Sequence, residues 1–145
     1  MRSSFLKCKI HRATVTGADL NYEGSISIDP VLCEAAGLHE FERVEIYDCN
    51  NGARFATYVI YGQPGDICLN GAAARMVHKG DLVIIAAFAD LEQNEIASHK
   101  PSLVFVDENN KIKKLHNTYP TEDAADLRDQ PVRLSHTPAS LNGLV

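Results

Sequence analysis

The chain has 145 residues, a formal net charge of −5 at pH 7 and 45% hydrophobic residues. That length suits one domain with a core large enough to hold a rigid site without disulfides or metals. The acidic balance argues against a broad nucleic-acid surface, which needs clustered cations, and no apolar run reaches the ~18 residues of a membrane span. The N-terminus lacks the apolar stretch of a signal peptide. We therefore expect a soluble, cytoplasmic protein with no nucleic-acid and no membrane partner.

Short segments of alternating polar and apolar residues dominate the chain, which is typical of β-strands. In the first of them, Cys8 and Ile10 fall on one face, and Lys9 and His11 fall on the opposite, polar face. The continuous apolar run at 82–88 predicts a central strand buried on both faces. The predicted strands, about eight in number, cover residues 7–16, 25–28, 43–48, 54–61, 66–69, 81–89, 103–107 and 111–116.

The predicted helices are few and short. Asp29 before Pro30 predicts a capped helix start, and Gly37 predicts its end. An alanine-rich segment at 71–79 and a segment at 92–98 predict two further helical turns. Many short strands joined by tight turns in a chain of this size predict an all-β fold, a small closed barrel.

The cysteines and histidines are scattered along the chain. There is no Cys-x-x-Cys pair and no His-Glu-x-x-His pair, so the spacing predicts no metal site. Free cysteines are usually buried. We therefore expect reduced thiols that fill the core, at Cys8, Cys33, Cys49 and Cys68.

The last stretch, residues 118–145, differs from the rest. It contains three of the six prolines, and its apolar residues show no sustained period. This pattern is typical of a loosely attached segment. We divide the chain into a domain at 1–117 and a C-terminal extension that is either flexible or docked on a neighbouring subunit.

Several blocks of residues match a known family in order and spacing. They cover residues 9–12, 19–25, 51–58, 70–74 and 80–85. Any one block is weak, but together they are highly specific. Through them, over about residues 1–117, the chain resembles the pyruvoyl-dependent aspartate 1-decarboxylase family.

The resemblance implies a self-cleaving proenzyme. Ser25 Oγ attacks the Gly24 carbonyl, and elimination then releases residues 1–24. The remaining residue loses ammonia and becomes a pyruvoyl group, so the prosthetic group derives from Ser25 and no external cofactor or metal is expected. Glycine at position 24 permits a strained or positive-φ backbone that other residues avoid, and leaves the carbonyl open to approach.

The implied reaction is the decarboxylation of L-aspartate to β-alanine and CO2, for pantothenate and coenzyme A biosynthesis. The substrate amine forms a Schiff base with the pyruvoyl group at position 25. Tyr58 matches the family's proton donor. Arg54, whose planar fork suits a carboxylate, and Lys9 are assigned to the two carboxylates of the substrate.

Further positions match the family's functional residues. Small side chains after Asn70 let main-chain N–H groups approach an anion. Substrate binding is assigned, besides Lys9 and Arg54, to Thr57, Gly71, Ala72 and Ala73. Processing is assigned to Gly24, Ser25, Asn70 and Thr57, which could bond the Gly24 carbonyl, with His11 and Tyr22 as further candidates.

The resemblance also implies an assembly. The family fold is a closed six-stranded double-psi β-barrel with a few short helices, assembled as a homotetramer whose active sites lie between neighbouring subunits. Some members need a maturation factor. The extension beyond residue 117 departs from the family pattern and puts the usual subunit surface in doubt.

Two alternatives stay open. The first is a related pyruvoyl decarboxylase acting on another amino diacid such as glutamate, because Arg54 and Lys9 suit either diacid. The second is a barrel-shaped binding module that never cleaves. The second alternative is disfavoured because an inactive copy would tolerate the loss of residues that are all present here, namely Ser25, Thr57, Tyr58 and Asn70.

Overall fold

The computed structural model describes residues 1–117 and is an all-β fold with three short helical segments. The helical segments are α1 (Pro30–Ala36) and two 3₁₀ helices, Gly71–Met76 and Gln93–Ser98. The strands are β1 (Arg2–Thr14), β2 (Gly17–Asp19), β3 (Ser25–Ile28), β4 (Arg43–Asp48), β5 (Arg54–Tyr61), β6 (Ile67–Asn70), β7 (Leu82–Glu92), β8 (Ser102–Val106) and β9 (Ile112–His116). The all-β prediction is confirmed.

The strands of residues 1–117 form one sheet in the order β2-β6-β3-β5-β4-β7-β1-β8-β9. The long strand β1 pairs antiparallel with β7 on one side and parallel with β8 on the other. β3 lies between β5, to which it is parallel, and β6, to which it is antiparallel. The sheet is mixed, and the pairing leaves β2 and β9 at its two ends.

Backbone hydrogen bonds just beyond β1 connect distant parts of this sheet. Val15 N–H donates to the Asp81 carbonyl at 2.8 Å, and Thr16 N–H donates to the Ile67 carbonyl at 2.8 Å. The chain reaches them after a bulge in β1, where Arg12 has a φ of 58°. The sheet is therefore curved, with the end of β1 close to β6.

Aliphatic side chains fill the core. The alternation within β4 is clear, since Val44, Ile46 and Asp48 are buried while Arg43 and Tyr47 are not. Because pairing residues share a face, the buried residues of adjacent strands meet in one layer. The largest fully buried side chains include Ile10, Ile26, Ile28, Leu32, Ile46, Ile67, Leu69, Ile85 and Leu103.

The predicted bounds of β3, β4, β5 and α1 are confirmed. β1 begins earlier than predicted, because Arg2 to Leu6 pair with the end of β7. β2 was missed, since three residues are too few to show a period. The alanine-rich helix ends at Met76 and is a 3₁₀ helix.

Two burial predictions need correction. β7 is central as predicted, but Phe88 is 46% exposed, so burial on both faces is wrong at that end of the strand. His11 is buried at 7% exposure and packs on Phe105 with ring centroids 5.4 Å apart. His11 stays on the Lys9 side of β1, as the alternation predicts, because β1 pairs with β8 in unbroken register from Cys8 to His11, but Phe105 buries that side at His11.

All four cysteines are free. Cys8 and Cys33 are buried as predicted, Cys68 is half-buried, and Cys49 is exposed, so core filling is wrong for Cys49. Within residues 1–117, no helix is long and apolar enough to cross a membrane. The predicted extension at 118–145 lies outside the described residues.

Candidate active site

Ser25 is the first residue of β3 and is 1% exposed. Its hydroxyl is held from two sides. Asn70 Nδ2 donates to Ser25 Oγ at 2.9 Å, and Ser25 Oγ donates to the Glu23 carbonyl at 3.1 Å. The pairing of β3 with β6 sets Ser25 opposite Asn70, so the backbone register brings the two side chains together.

Asn70 ends β6 and occupies the N-cap position of the first 3₁₀ helix. Asparagine is a favoured N-cap residue, yet its side chain makes no cap bond here. The amide instead donates a second hydrogen bond to Ser27 Oγ at 3.0 Å, and Asn70 is 3% exposed. Its amide hydrogens are therefore directed at the serines of β3. Sequence reasoning missed Ser27, although period-two alternation puts it on the same face as Ser25.

Gly71 contacts the backbone at the predicted cleavage point. It has a φ of +65°, and a Cβ added there would lie 2.7 Å from both Cα and N of Gly24. The same atom would lie 3.0 Å from the Tyr22 carbonyl oxygen. Only glycine fits this close approach, so the residue after Asn70 holds the segment before Ser25 in place.

Gly24 itself is not in the positive-φ region that a glycine at this position permits. It has no positive φ, and an added Cβ would meet nothing within 4 Å. The prediction of a positive φ at Gly24 is therefore wrong. The positive φ lies at Gly71, because that is where two backbone segments touch.

Tyr22 and Thr57 lie at the margins of this centre. Tyr22 contributes its carbonyl near Gly71, while its side chain is 54% exposed. Thr57 lies on β5 opposite Val44 of β4. No hydrogen bond joins Thr57 to the Gly24 carbonyl in the described part of the chain.

Tyr58 follows Thr57 on β5 and lies near the start of β3. The parallel register pairs Ile26 with Val59, the residues that follow Ser25 and Tyr58. Tyr58 is half-buried, and its ring lies 6.5 Å from that of Phe41. The fold therefore brings the Tyr58 position alongside the Gly24–Ser25 bond.

The two predicted substrate cations lie on the outer face of the sheet. Lys9 on β1 is paired with Ala86 on β7, and Ala86 is paired with Glu45 on β4. Two residues along β4, Tyr47 is paired with Arg54 on β5. Both cations thus stand on the face opposite to Val44 and Ile46. A surface cavity of about 460 Å³ on this face is lined by Ser4, Arg43, Val44, Glu45, Tyr47, Ala86, Ala87 and Phe88.

Arg54 is placed by an aromatic ring. Its guanidinium carbon lies 4.2 Å from the centre of the Tyr47 ring, which is cation–π geometry. Burial and the charge of Glu45 raise the pKa of the Tyr47 phenol, although Arg54 opposes them, so the ring stays neutral. Sequence reasoning missed Tyr47, although the hairpin after Asp48 is enough to place it opposite Arg54.

Two cationic side chains, Lys9 and Arg12, also lie near Cys49 at the end of β4. Burial and the charge of Asp48 raise the pKa of the Cys49 thiol, while the nearby charges of Arg12 and Lys9 lower it. Lys9 and Arg12 therefore stand close enough to Cys49 to act on it.

The strand order separates the Ser25 centre from Lys9. From β3 to β1 the sheet runs through β5, β4 and β7, which makes four strand spacings of ~4.8 Å each. Strand pairing in one chain therefore does not set Lys9 beside Ser25.

Ala72 is exposed and Ala73 half-buried at the start of the 3₁₀ helix, next to the Ser25 centre.

Within residues 1–117, no group of three or more His, Cys, Asp or Glu side chains could hold a metal ion. Fold and site together define an all-β protein that buries the hydroxyl of a Gly-Ser bond against an asparagine amide and carries two cations on an open sheet face.

Comparison with known proteins identifies the family. Residues 1–113 match the family described as Aspartate decarboxylase. The chain is 63% identical to an aspartate 1-decarboxylase of Bdellovibrio bacteriovorus over 112 aligned residues. The alignment covers 77% of this chain and 90% of the relative. A Hydrogenobaculum relative with the same name is 58% identical over 112 residues, and this alignment also covers 77% of this chain and 90% of the relative. One from Xanthomonas campestris pv. campestris is 54% identical over 126 residues, 86% of this chain and 100% of the relative.

This chain belongs to the aspartate decarboxylase family. The resemblance seen in the sequence blocks is thereby confirmed over most of the described residues.

Proposed function

We propose that this protein is an aspartate 1-decarboxylase, a carboxy-lyase that converts L-aspartate to β-alanine and CO2 for pantothenate and coenzyme A biosynthesis. It becomes active after its own chain is cleaved between Gly24 and Ser25. The observation that carries the proposal is the 2.9 Å hydrogen bond from Asn70 Nδ2 to the buried Ser25 Oγ. Family membership and the names of the relatives support the same activity.

Cleavage starts with chemistry of the chain itself. A bond forms between Ser25 Oγ and the Gly24 carbonyl carbon, the Gly24–Ser25 amide bond breaks, and the hydroxyl proton ends on the freed amine. The Asn70 N–H holds Ser25 Oγ in a fixed position for the attack, while the negative charge of the tetrahedral intermediate develops on the Gly24 carbonyl oxygen. The close contact of Gly71 with Gly24 limits the movement of the group under attack.

The residues around position 25 fit a pyruvoyl group. The Asn70 amide presents an N–H donor there, and a ketone oxygen can only accept a hydrogen bond. When formed, this group supplies a ketone that takes up the substrate amine and an electron sink for the departure of CO2. No external cofactor or metal enters the proposal.

The remaining roles belong to side chains already placed. Arg54 and Lys9 bind the two carboxylates of aspartate, and Tyr58 returns a proton to the substrate carbon. Thr57 and the main chain of 71–73 contact the substrate beside position 25. Gly24, Asn70 and Thr57 serve processing, with His11 and Tyr22 orienting their neighbours.

The active form is proposed to be a homotetramer with active sites between subunits. In this assembly, Lys9 of one subunit would approach position 25 of another, since no strand pairing in one chain sets Lys9 beside Ser25. We also propose that six of the strands close a double-psi barrel. The bonds of Val15 and Thr16 to Asp81 and Ile67, which connect the end of β1 with β6, support closure.

Three further parts of the proposal concern the chain as a whole. Residues 1–117 are the decarboxylase domain, and 118–145 are an extension that is flexible or docks on a neighbouring subunit. The four free thiols fit a reducing, cytoplasmic compartment. Maturation proceeds in the isolated chain or is accelerated by a maturation factor.

Intact-mass analysis tests the central step. After warming, we expect a fragment of residues 1–24 and a larger fragment whose blocked N-terminus fits a pyruvoyl group, while Ser25→Ala stays full-length and inactive. A single full-length mass in a protein that releases CO2 from aspartate would contradict the proposal. Activity retained by Ser25→Ala would also contradict the proposal.

Substrate choice is tested separately. Release of CO2 from aspartate and from glutamate is compared at matched concentrations of the cleaved protein. We expect aspartate to be preferred, as the names of the relatives indicate. A preference for glutamate would instead select the first alternative, and a protein that neither cleaves nor releases CO2 would be the binding module.

A further inference from the structure

The orientation of the Asn70 amide decides whether Ser25 meets a donor or an acceptor. An asparagine side chain can turn by 180° and exchange its NH2 group with its carbonyl oxygen at little change in shape. With Nδ2 toward Ser25, the attacking oxygen faces an N–H. With Oδ1 toward Ser25, that oxygen would compete with the Glu23 carbonyl for the single Ser25 hydroxyl proton. The fold must therefore favour the first orientation.

Two side chains hold that orientation. Ser27 Oγ accepts the second Asn70 hydrogen bond at 3.0 Å, and the Cys68 thiol donates to Asn70 Oδ1 at 3.5 Å. Cys68 and Asn70 are both on β6, two residues apart, and the pairing with β3 sets Cys68 opposite Ser27. In the turned orientation, Nδ2 would face the sulfur, which is a weak acceptor.

The surroundings of Cys68 keep it a donor. Burial, together with the charges of Asp66 and Asp19, raises the pKa of its thiol, so the sulfur retains its proton near neutral pH. Gly17 on β2 is paired with Cys68, and a Cβ added at Gly17 would lie 3.3 Å from the sulfur. The small residue at 17 leaves the sulfur room to point toward Asn70.

We propose that Cys68 and Ser27 are positioning residues for the cleavage, which act by keeping the N–H end of the Asn70 amide on Ser25 Oγ. The inference rests on the proposed self-cleavage and adds to it the residues that set the geometry of Asn70. Neither residue touches the Gly24–Ser25 bond itself. Their effect passes entirely through one amide group.

The test measures the rate of cleavage by intact mass during warming of the purified full chain. We expect Cys68→Ala and Ser27→Ala each to slow cleavage about fivefold, the effect of one net hydrogen bond. Cys68→Ser replaces the thiol donor by a hydroxyl donor and Ser27→Thr keeps its hydroxyl, so both should cleave within about twofold of the parent chain. Cys49→Ala, which alters an exposed thiol, should leave the rate unchanged.

The conservative variants separate positioning from packing. A loss of packing would affect Cys68→Ala and Cys68→Ser alike, whereas a loss of amide orientation affects only the variant without a donor. Equal rates for Cys68→Ala, Ser27→Ala and the parent chain would overturn the inference, and so would slow cleavage in both members of each pair. If Cys68→Ala does not fold, as judged by circular dichroism, the Ser27 pair decides the question.

Failure of the inference and failure of the proposed function have different signatures. A parent chain that releases CO2 from aspartate while never cleaving contradicts the proposed function. A parent chain that cleaves at the same rate as both alanine variants contradicts only the roles of Cys68 and Ser27. Slower cleavage of the alanine variants with rescue by Cys68→Ser and Ser27→Thr supports both.

Discussion

The two functional regions of this chain are built in opposite ways. The processing centre (Ser25, Asn70 and Gly71) is buried, with 1% exposure at Ser25 and 3% at Asn70, and its polar side chains are hydrogen-bonded within the chain. The cationic face (Lys9 and Arg54) lies on the outer side of the sheet, and Arg54 is exposed over the Tyr47 ring.

The difference follows from what each region handles. In the precursor, the processing centre encloses a bond of its own backbone that is cleaved once, and position 25 meets the substrate amine only after that cleavage. The cationic face must admit and release a charged substrate many times, so it stays open and is completed by another subunit in the proposed assembly. Substitutions should therefore divide into those that change cleavage and those that change turnover.

Tyr58→Phe should give the largest effect on turnover. The ring keeps its contact with Phe41 but loses the hydroxyl proposed to return the proton, and kcat should fall about 10²–10⁴-fold. Cleavage, followed by intact mass, should proceed as in the parent chain. Tyr61→Phe on the same strand is the control, since Tyr61 is exposed. Blocked cleavage in Tyr58→Phe would show that the two regions are not separate.

Gly71→Ala should give the largest effect on cleavage. The new Cβ would fall 2.7 Å from Gly24 Cα, and displacement of the attacked carbonyl by about 1 Å can slow a reaction about a hundredfold. The measurement is the cleaved fraction over time. Gly52→Ala separates crowding from backbone strain, because Gly52 has a similar φ of +77° and nothing within 4 Å of an added Cβ. Similar slowing in both variants would contradict the crowding argument.

Arg54→Lys tests the planar fork of the cationic face. A lysine keeps the charge but cannot bind a carboxylate in bidentate fashion, so kcat/KM for aspartate should fall about tenfold, mainly through KM. The rate of cleavage should not change. Arg2→Ala removes an exposed arginine paired with Glu92 and should leave both quantities unchanged. A slower cleavage of Arg54→Lys would contradict the division between the regions.

Glu42→Gln should give the smallest effect, on stability alone. Burial opposes ionisation of Glu42, but hydrogen bonds from Lys7 and from the His39 N–H outweigh it and hold the pKa of the carboxyl below its usual value. A lowered pKa contributes stability that is present above the unfolded-state pKa of about 4.3 and is lost as the pH falls through the folded-state pKa.

The substitution should therefore lower the free energy of unfolding by about 1 kcal/mol at pH 7 and by less below pH 4. Urea denaturation in an uncleaved Ser25→Ala background measures this at both pH values. Glu34→Gln in the exposed part of α1 is the matched control. A loss that is the same at both pH values would contradict the assigned origin of the pKa shift.

The sequence predicts much of the fold because local patterns specify it. The alternation in β4 and β5, the turn at Asn51-Gly52 and the cap of α1 are all local signals, and their bounds agree with the structure. His11 lies on the predicted face, but its burial was not predicted, because it packs on Phe105 of β8. A neighbour on another strand is not revealed by periodicity within one segment.

The candidate site likewise contains residues that the sequence predicts and residues that only the folded structure reveals. Resemblance to the family supplied Ser25, Asn70 and Arg54, but the side chains that place them depend on strand pairing. Tyr47 meets Arg54, and Cys68 meets Asn70, only through contacts that the folded structure defines. The positive φ expected at Gly24 belongs to Gly71 because two distant backbone segments touch there.

The position of the proposed cut within the sheet has a consequence for refolding. Ser25 is the first residue of β3, so the cut leaves every strand whole and assigns β1 and β2 to the shorter product. β1 stays inserted between β7 and β8, and both products remain in one folded body. Folding of the precursor is unimolecular, whereas reassembly of the cut form after denaturation requires two chains to meet. The mature protein should therefore regain the pairing of β1 with β7 and β8 at a rate that depends on its concentration, whereas within each chain of the uncut precursor the rate of that pairing should not.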